Sequence, residues 1–189
     1  RDAWIAAKGP WKRSEIVLFG PVVEYPDRIG PKLDDWPVNE GAVEELISSD
    51  LEMEQSIFDS LGTAKRGFPV VEYLLFASID ETSPLQLLTG DSRRCDVLVG
   101  SARDVAKNAS RLLESWQQDW ISQVTTPEEV DGLYNTSQEV VDEWVNRMSF
   151  TAENIRTRKL GKPVGDDAFG EIQPDVIESR YSQRSLQDA

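Results

Sequence analysis

The chain has 189 residues, with 34 acidic side chains against 20 basic ones, for a formal net charge of −14. That length allows one large domain or two small ones, and six Trp, six Phe and four Tyr rule out a wholly disordered chain. So acidic a surface repels phosphate backbones, which argues against a nucleic-acid partner, and no apolar run reaches the roughly 18 residues of a membrane span.

In chain order, a first helix is predicted from about Asp2 to Phe19, ended by Gly20-Pro21. Pro26, Gly30, Pro31 and Pro37 then interrupt regular structure, leaving an ordered loop over 20–38. Asn39 caps a short helix carrying Val43, Leu46 and Ile47, and a second short helix carries Ile57, Phe58 and Leu61 before Gly62. A helix follows over 66–77, with Pro69 at its first position and Glu72 in its first turn, beside the positive helix end.

Cys95, Leu98, Val99, Ala102, Val105, Ala106, Ala109, Leu112, Leu113, Trp116 and Trp120 recur at spacings of three and four. They predict a long amphipathic helix with that stripe in the core and Arg103, Asp104, Lys107, Arg111 and Glu114 in solvent. Trp116 and Trp120 are read as core packing and Cys95 as a small buried apolar residue. Thr126, Pro127 and Glu129 form a capping-box signature for a second long helix. Its buried stripe runs through Val130, Leu133, Tyr134, Val140, Val141, Trp144, Met148 and Ile155, and it ends before Gly161.

No alternating pattern lasts long enough for a sheet, so the fold is all-α, a helical bundle. Residues 1–124 make a first bundle that holds the 20–38 loop and the motif helix. Residues 125–189 make a long helix and a connecting tail. Arg1-Asp2-Ala3-Trp4 carries neither initiator Met nor signal core, and the polar stretch at Glu178–Leu186 has no evident stop, so the chain reads as a fragment of a longer protein.

The sequence contains no histidine and one cysteine. Zinc sites of imidazole and thiolate, Ser–His and Cys–His dyads, and an internal disulfide are therefore excluded within this chain. Carboxylates, arginines, lysines and hydroxyls remain. Gly161-Lys162-Pro163 lacks the spacing and the Ser or Thr of a phosphate-binding loop and reads as a helix exit.

Several motifs occur together. Gly67-Phe68-Pro69-Val70-Val71-Glu72 resembles the Gly-x-His-x-x-Glu helix of the imelysin-like proteins, the insulin-cleaving metallopeptidase family. Phe19-Gly20-Pro21-Val22 and Trp36-Pro37-Val38-Asn39-Glu40-Gly41 are similar to that family's Phe-Gly-Pro and Trp-Pro loops. Arg94-Cys95-Asp96, Lys159 to Gly165, Glu178, Ser182 and Ser185-Leu186 extend the likeness in order along the chain. The resemblance implies a fold of two helical bundles, the second largely absent here, with a functional site in the cleft beside the motif helix. It also implies export to the periplasm or outer membrane surface of a Gram-negative bacterium, often as a lipoprotein, and iron regulation. Peptidase activity is ascribed to some members and periplasmic iron uptake to others.

The sequence departs from the motif at its histidine, where Pro69 stands. Proline offers no lone pair, so of the His–Glu pair only Glu72 can be a ligand, too little for a zinc hydrolase. Carboxylates can still hold iron or another oxygen-ligated metal. Glu72, Glu24 and Asp27 are the candidate ligands, converging if the 20–38 loop packs on the motif helix, with Arg66, Trp36 and Glu40 completing the cleft. The bland alternative pairs Glu72 with Arg66 to hold the bundle together.

The leading expectation is a non-catalytic, periplasm-facing protein of metal uptake. Its rivals are a metallopeptidase completed by residues outside the chain and a structural or interaction protein without a metal site. Expected partners are the missing C-terminal half or a second copy, and a metal ion. Contact with a membrane is expected only through a removed lipid anchor.

Overall fold

Helix α5 (Phe68–Phe76) is apolar except for Glu72 and the Tyr73 hydroxyl and is buried over most of its length, which puts it at the centre of the fold. Residues 1–166 and 170–184, which the computed structural model describes, pack around it; Ser185-Leu186 of the motif set lies outside them. Among the described residues no strand forms, and Ile79 and Thr82 make one isolated bridge. No helix among them is long and apolar enough to cross a membrane. Val70, Tyr73 and Leu74 of α5 meet Val43, Leu46 and Ile47 of α3 (Glu40–Ser48) and Val97 of α7 (Ser92–Ser115). On its other side, Phe68 and Val71 pack on Trp4 of α1 (Asp2–Arg13). Each such buried side chain contributes about 1.5–3 kcal/mol.

Several predicted boundaries move. The first helix stops at Arg13, followed by a 3-10 turn, Ser14–Val17, and Phe19 is extended. Within 20–38, prolines start single turns rather than forbid structure: Gly20–Val22, and α2 (Gly30–Leu33). Asn39 caps α3 by accepting from the Ala42 N–H, as its side chain predicts. The 55–60 segment forms α4 (Gln55–Ser60), and Pro84–Gly90 forms α6. The Thr126 capping box is not made. After α8 (Ile121–Thr125), Pro127–Glu129 is a 3-10 turn, and the helix opens later as α9 (Ser137–Asn154), where the Thr136 hydroxyl accepts from the Glu139 N–H.

The largest correction concerns α7. Its buried face carries Arg94, Val97, Gly100, Ser101, Asp104, Asn108 and Ser115, while Ala102, Ala106 and Ala109 are exposed and Cys95 is half-buried. The polar face turns inward because it is satisfied there. Arg66 forks onto both Asp104 oxygens at 2.9 and 2.5 Å, Asn108 bonds Asp104, and Arg94 holds Glu44 of α3. The predicted apolar stripe instead lines an open groove of about 660 Å³ against Trp4 and Ala7 of α1. Val141, Trp144 and Met148 of α9 are likewise exposed, where a buried stripe was predicted, while Val140 is buried as expected. Trp116 and Trp120 sit in a π-helical turn after α7, half-buried, with Phe19 set edge-on to Trp116 at 5.6 Å.

Candidate functional site

Gly67, the N-cap of α5, has φ +82°, a conformation that side chains with a Cβ rarely adopt, and a Cβ there would collide with the Leu33 carbonyl. The absent side chain lets the end of α2 lie directly on the start of α5. Asp34, the next residue, therefore arrives beside the first turn of α5, where Pro69 and Glu72 are buried. A cavity of about 360 Å³ lies here. Lys8 of α1 lines one wall and Asp34, Trp36 and Glu40 a second; Glu178, Arg180 and Tyr181 of the C-terminal segment form a third.

Most charges around this cavity are matched. Lys8, only 2% exposed, donates to Asp34 Oδ2 at 2.5 Å, and Trp11 Nε1 donates to the same oxygen at 2.7 Å. Arg180 pairs with Asp175 at 2.6 Å and, with the Tyr181 hydroxyl, holds Glu40. Glu15, Asp34 and Glu178 bring carboxylate oxygens within 4.8 Å of one another, a spacing that suits a metal ion. Their centre is occupied by ammonium groups. Lys12 donates to Glu15 and Glu178 and lies 3.8 Å from Asp34, and Lys159 reaches Glu15 at 2.6 Å and Glu178 at 3.1 Å. Burial alone would push the Glu178 carboxyl up, but Lys12 and Lys159 hold it down at about 2. Burial would likewise lower the Lys12 ammonium, and the three acids, Asp34 foremost, raise it instead.

Glu72 is the exception. It is buried, 4% exposed, and forms no ion pair among the described residues. Its Oε1 accepts from the Ser182 N–H at 2.8 Å and from the Ser182 hydroxyl at 2.7 Å, while Oε2 has no protein donor among the described residues. Desolvation raises its pKa, and the two Ser182 hydrogen bonds pull the other way. Asp34, which also lines the cavity, has its Oδ1 atom buried without a hydrogen-bond partner among the described residues.

Of the residues expected from sequence, Glu72, Trp36 and Glu40 come together at this cavity. Glu24 and Asp27 do not. Glu24 faces Arg147 of α9 at 3.7 Å, and Asp27 is held on α7 by Arg111 at 3.1 Å and the Ser115 hydroxyl at 2.8 Å. The 20–38 loop packs on α7 and the π turn as well as on α5, which carries its first half away from Glu72. Arg66 pairs with Asp104 and not with Glu72, so the bland pairing is not made either. Sequence reading missed Lys8, Lys12 and Asp34. The available signal was Trp4, Lys8 and Lys12 at i, i+4 and i+8, one face of α1 running inward from a core tryptophan.

A sequence profile of the imelysin family matches residues 1–189. Iron-regulated protein A of Synechococcus elongatus is 24% identical over 193 residues, covering 100% of this chain and 48% of the relative. A crystal structure from Parabacteroides distasonis, assigned as an iron-regulated protein A precursor, superposes with a TM-score of 0.77 at 24% identity. That match covers 99% of this chain and 57% of the other, and it shows a shared fold. The chain thus spans about half the length of the curated relative it matches.

Proposed function

The chain belongs to the imelysin family, and from the cleft at Glu72 we propose an iron-related role exercised by binding rather than by peptide cleavage. The observation that carries this reading is Glu72 itself: a carboxylate taken out of water without a cation, facing a cavity, with one oxygen engaged and one free. A lone buried carboxylate is costly, and an arriving cation removes that cost. The residues fit a hard, oxygen-ligated ion such as Fe(III) or Mn²⁺, since carboxylate and hydroxyl oxygens are the donors at hand. They do not fit a zinc hydrolase, because Pro69 replaces the motif imidazole and Glu72 alone cannot provide three ligands with an open fourth position. The iron-regulated relatives favour iron among the candidates, and the precursor form of the solved relative favours export to the periplasm.

Titration of the protein with Fe(III) nitrilotriacetate and with Mn²⁺, followed by calorimetry, tests the reading. Binding near one equivalent that disappears in Glu72→Gln supports it. No binding, or unchanged binding by the variant, overturns it. Chelator-sensitive cleavage of insulin B chain would restore the peptidase reading.

A further inference from the structure

We propose that the groove between α1 and α7 is a docking surface for a second copy of this chain, whose helix α9 lies in it. The groove is lined by buried Trp4 and half-buried Leu75, with Ala7 of α1 on one bank and Ala102, Ala106 and Ala109 of α7 on the other. All four alanines are exposed. Side chains that end at Cβ keep the banks low, which admits an incoming helix at the close spacing of packed helices, about 8–10 Å between axes. The groove-lining residues of α7, Leu98 to Leu112, span about 21 Å along the helix axis.

The same chain carries the matching ridge. Val141, Trp144, Val145 and Met148 of α9 recur at i, i+3, i+4 and i+7, the spacing by which a helix fills an apolar groove, and each is 44–56% exposed. Toward its own chain α9 buries Val140 and Thr151 instead, which leaves the ridge largely in solvent. The ridge is about 11 Å long, well within the length of the groove, and Trp144 supplies a large anchor for a space walled by alanines. Charge favours the same pairing. In a chain of net charge −14, α7 carries five basic side chains against three acidic ones, whereas α9 carries four acidic against one basic. Arg103, next to Ala102, and Asp142, next to Val141, are both exposed and bring opposite charges to the two faces. One helix in one groove is a small contact beside the ~800 Å² per partner of a standard interface, so the association is weak and depends on concentration. Two copies that seat in each other reciprocally close as a two-fold dimer, whereas a one-sided contact leaves a groove free and adds further copies.

Sedimentation equilibrium over a concentration series reads the mass of the wild type, of Ala106→Glu, of Val145→Glu and of an equimolar mixture of the two variants. Circular dichroism establishes that each is folded; both positions are exposed, and should either variant lose its helical signal, Ala109→Glu or Trp144→Ala takes its place. The wild-type mass should rise above the 21.3 kDa monomer with concentration. Each variant should associate at least about tenfold more weakly, because a charge is pressed into an apolar seat. The mixture should recover a two-chain species, since it retains one intact groove and one intact ridge. A wild type that stays monomeric overturns the inference and leaves the groove to another segment or partner. Association that survives both substitutions overturns it too, because another surface then carries it. A mixture that associates no better than its separate components refutes the pairing of groove with ridge.

Discussion

Glu178 offers the sharpest test of the charge network beside the cavity. Its carboxyl titrates at about 2 in the folded protein against an ordinary value of 4.5. A gap of about 2.5 pH units, at roughly 1.4 kcal/mol each, makes the ionised group worth about 3 kcal/mol at neutral pH. The sign follows from the depressed value: the contribution is complete above the unfolded pKa and drains away as the pH falls toward the folded one. Worked through, it is nearly intact at pH 5 and falls to about half or less at pH 3. Glu178→Gln removes the titrating group with little change in volume and leaves Lys12 with Glu15 and Asp34. Urea unfolding of both proteins at pH 7, 5, 4 and 3 reads the difference directly, because every other carboxylate is common to the pair. The stability gap should be largest at neutral pH and shrink by about half at pH 3. A gap that stays constant, or widens on acidification, refutes the assignment of that stability to the Lys12–Glu178–Lys159 contact.

Three further outcomes follow from the same packing. Arg66→Met strands Asp104, which is fully buried, and should cost about 3–5 kcal/mol in urea unfolding, with most of it regained when Asp104 is also made Leu. Gly67→Ala forces a Cβ into the positive-φ N-cap and onto the Leu33 carbonyl. It should lower stability by at least about 2 kcal/mol in urea unfolding. Pro69→His returns an imidazole to the position three residues before Glu72 on one helical face. It should raise Zn²⁺ affinity at least tenfold over the wild type, read as a chelator-reversible increase in Tm.

The all-α class and the central helix were legible because hydrophobic periodicity and caps are local properties. Asn39 and the Gly67–Glu72 helix follow from short-range rules, whereas Trp36 and Glu40 were placed at the cleft through the family resemblance of the Trp-Pro loop. The burial of α7 did not, and the reason is physical. Periodicity reports which face is apolar, and a core is assumed to want that face. Asp104 was read as solvated, and the burial of Arg94 went unread, because their partners, Arg66 and Glu44, lie 38 and 50 residues away. Once those bonds close, the polar face can be buried and the apolar face is left lining a groove. The same blindness hid Lys8 and Lys12, whose acids come from the end of α2, from the turn after α1 and from Glu178. Glu24 and Asp27 were expected at the cleft if the 20–38 loop packed on the motif helix, and contacts to α9 and α7 hold them elsewhere.

What separates Glu72 from the other acids of the cavity is the kind of neighbour it was given. Asp34, Glu40 and Glu178 are each met by an ammonium or guanidinium group, so their charge is settled within the protein. Glu72 receives two neutral donors from Ser182, both on one oxygen. Neutral donors favour the ionised form without cancelling its charge, and they orient the carboxylate so that the second oxygen is left over. A structural carboxylate would be better served by a lysine, and Lys8 lies near enough for its charge to act on Glu72, yet its hydrogen bond is committed to Asp34. Glu72 is thus the carboxylate of this cavity left without a counter-ion among the described residues, while Asp34, Glu40 and Glu178 are each matched. Pro69 in place of the motif imidazole leaves the oxygens of Glu72 untouched, so the proposed role of the cleft rests on carboxylate rather than imidazole donors.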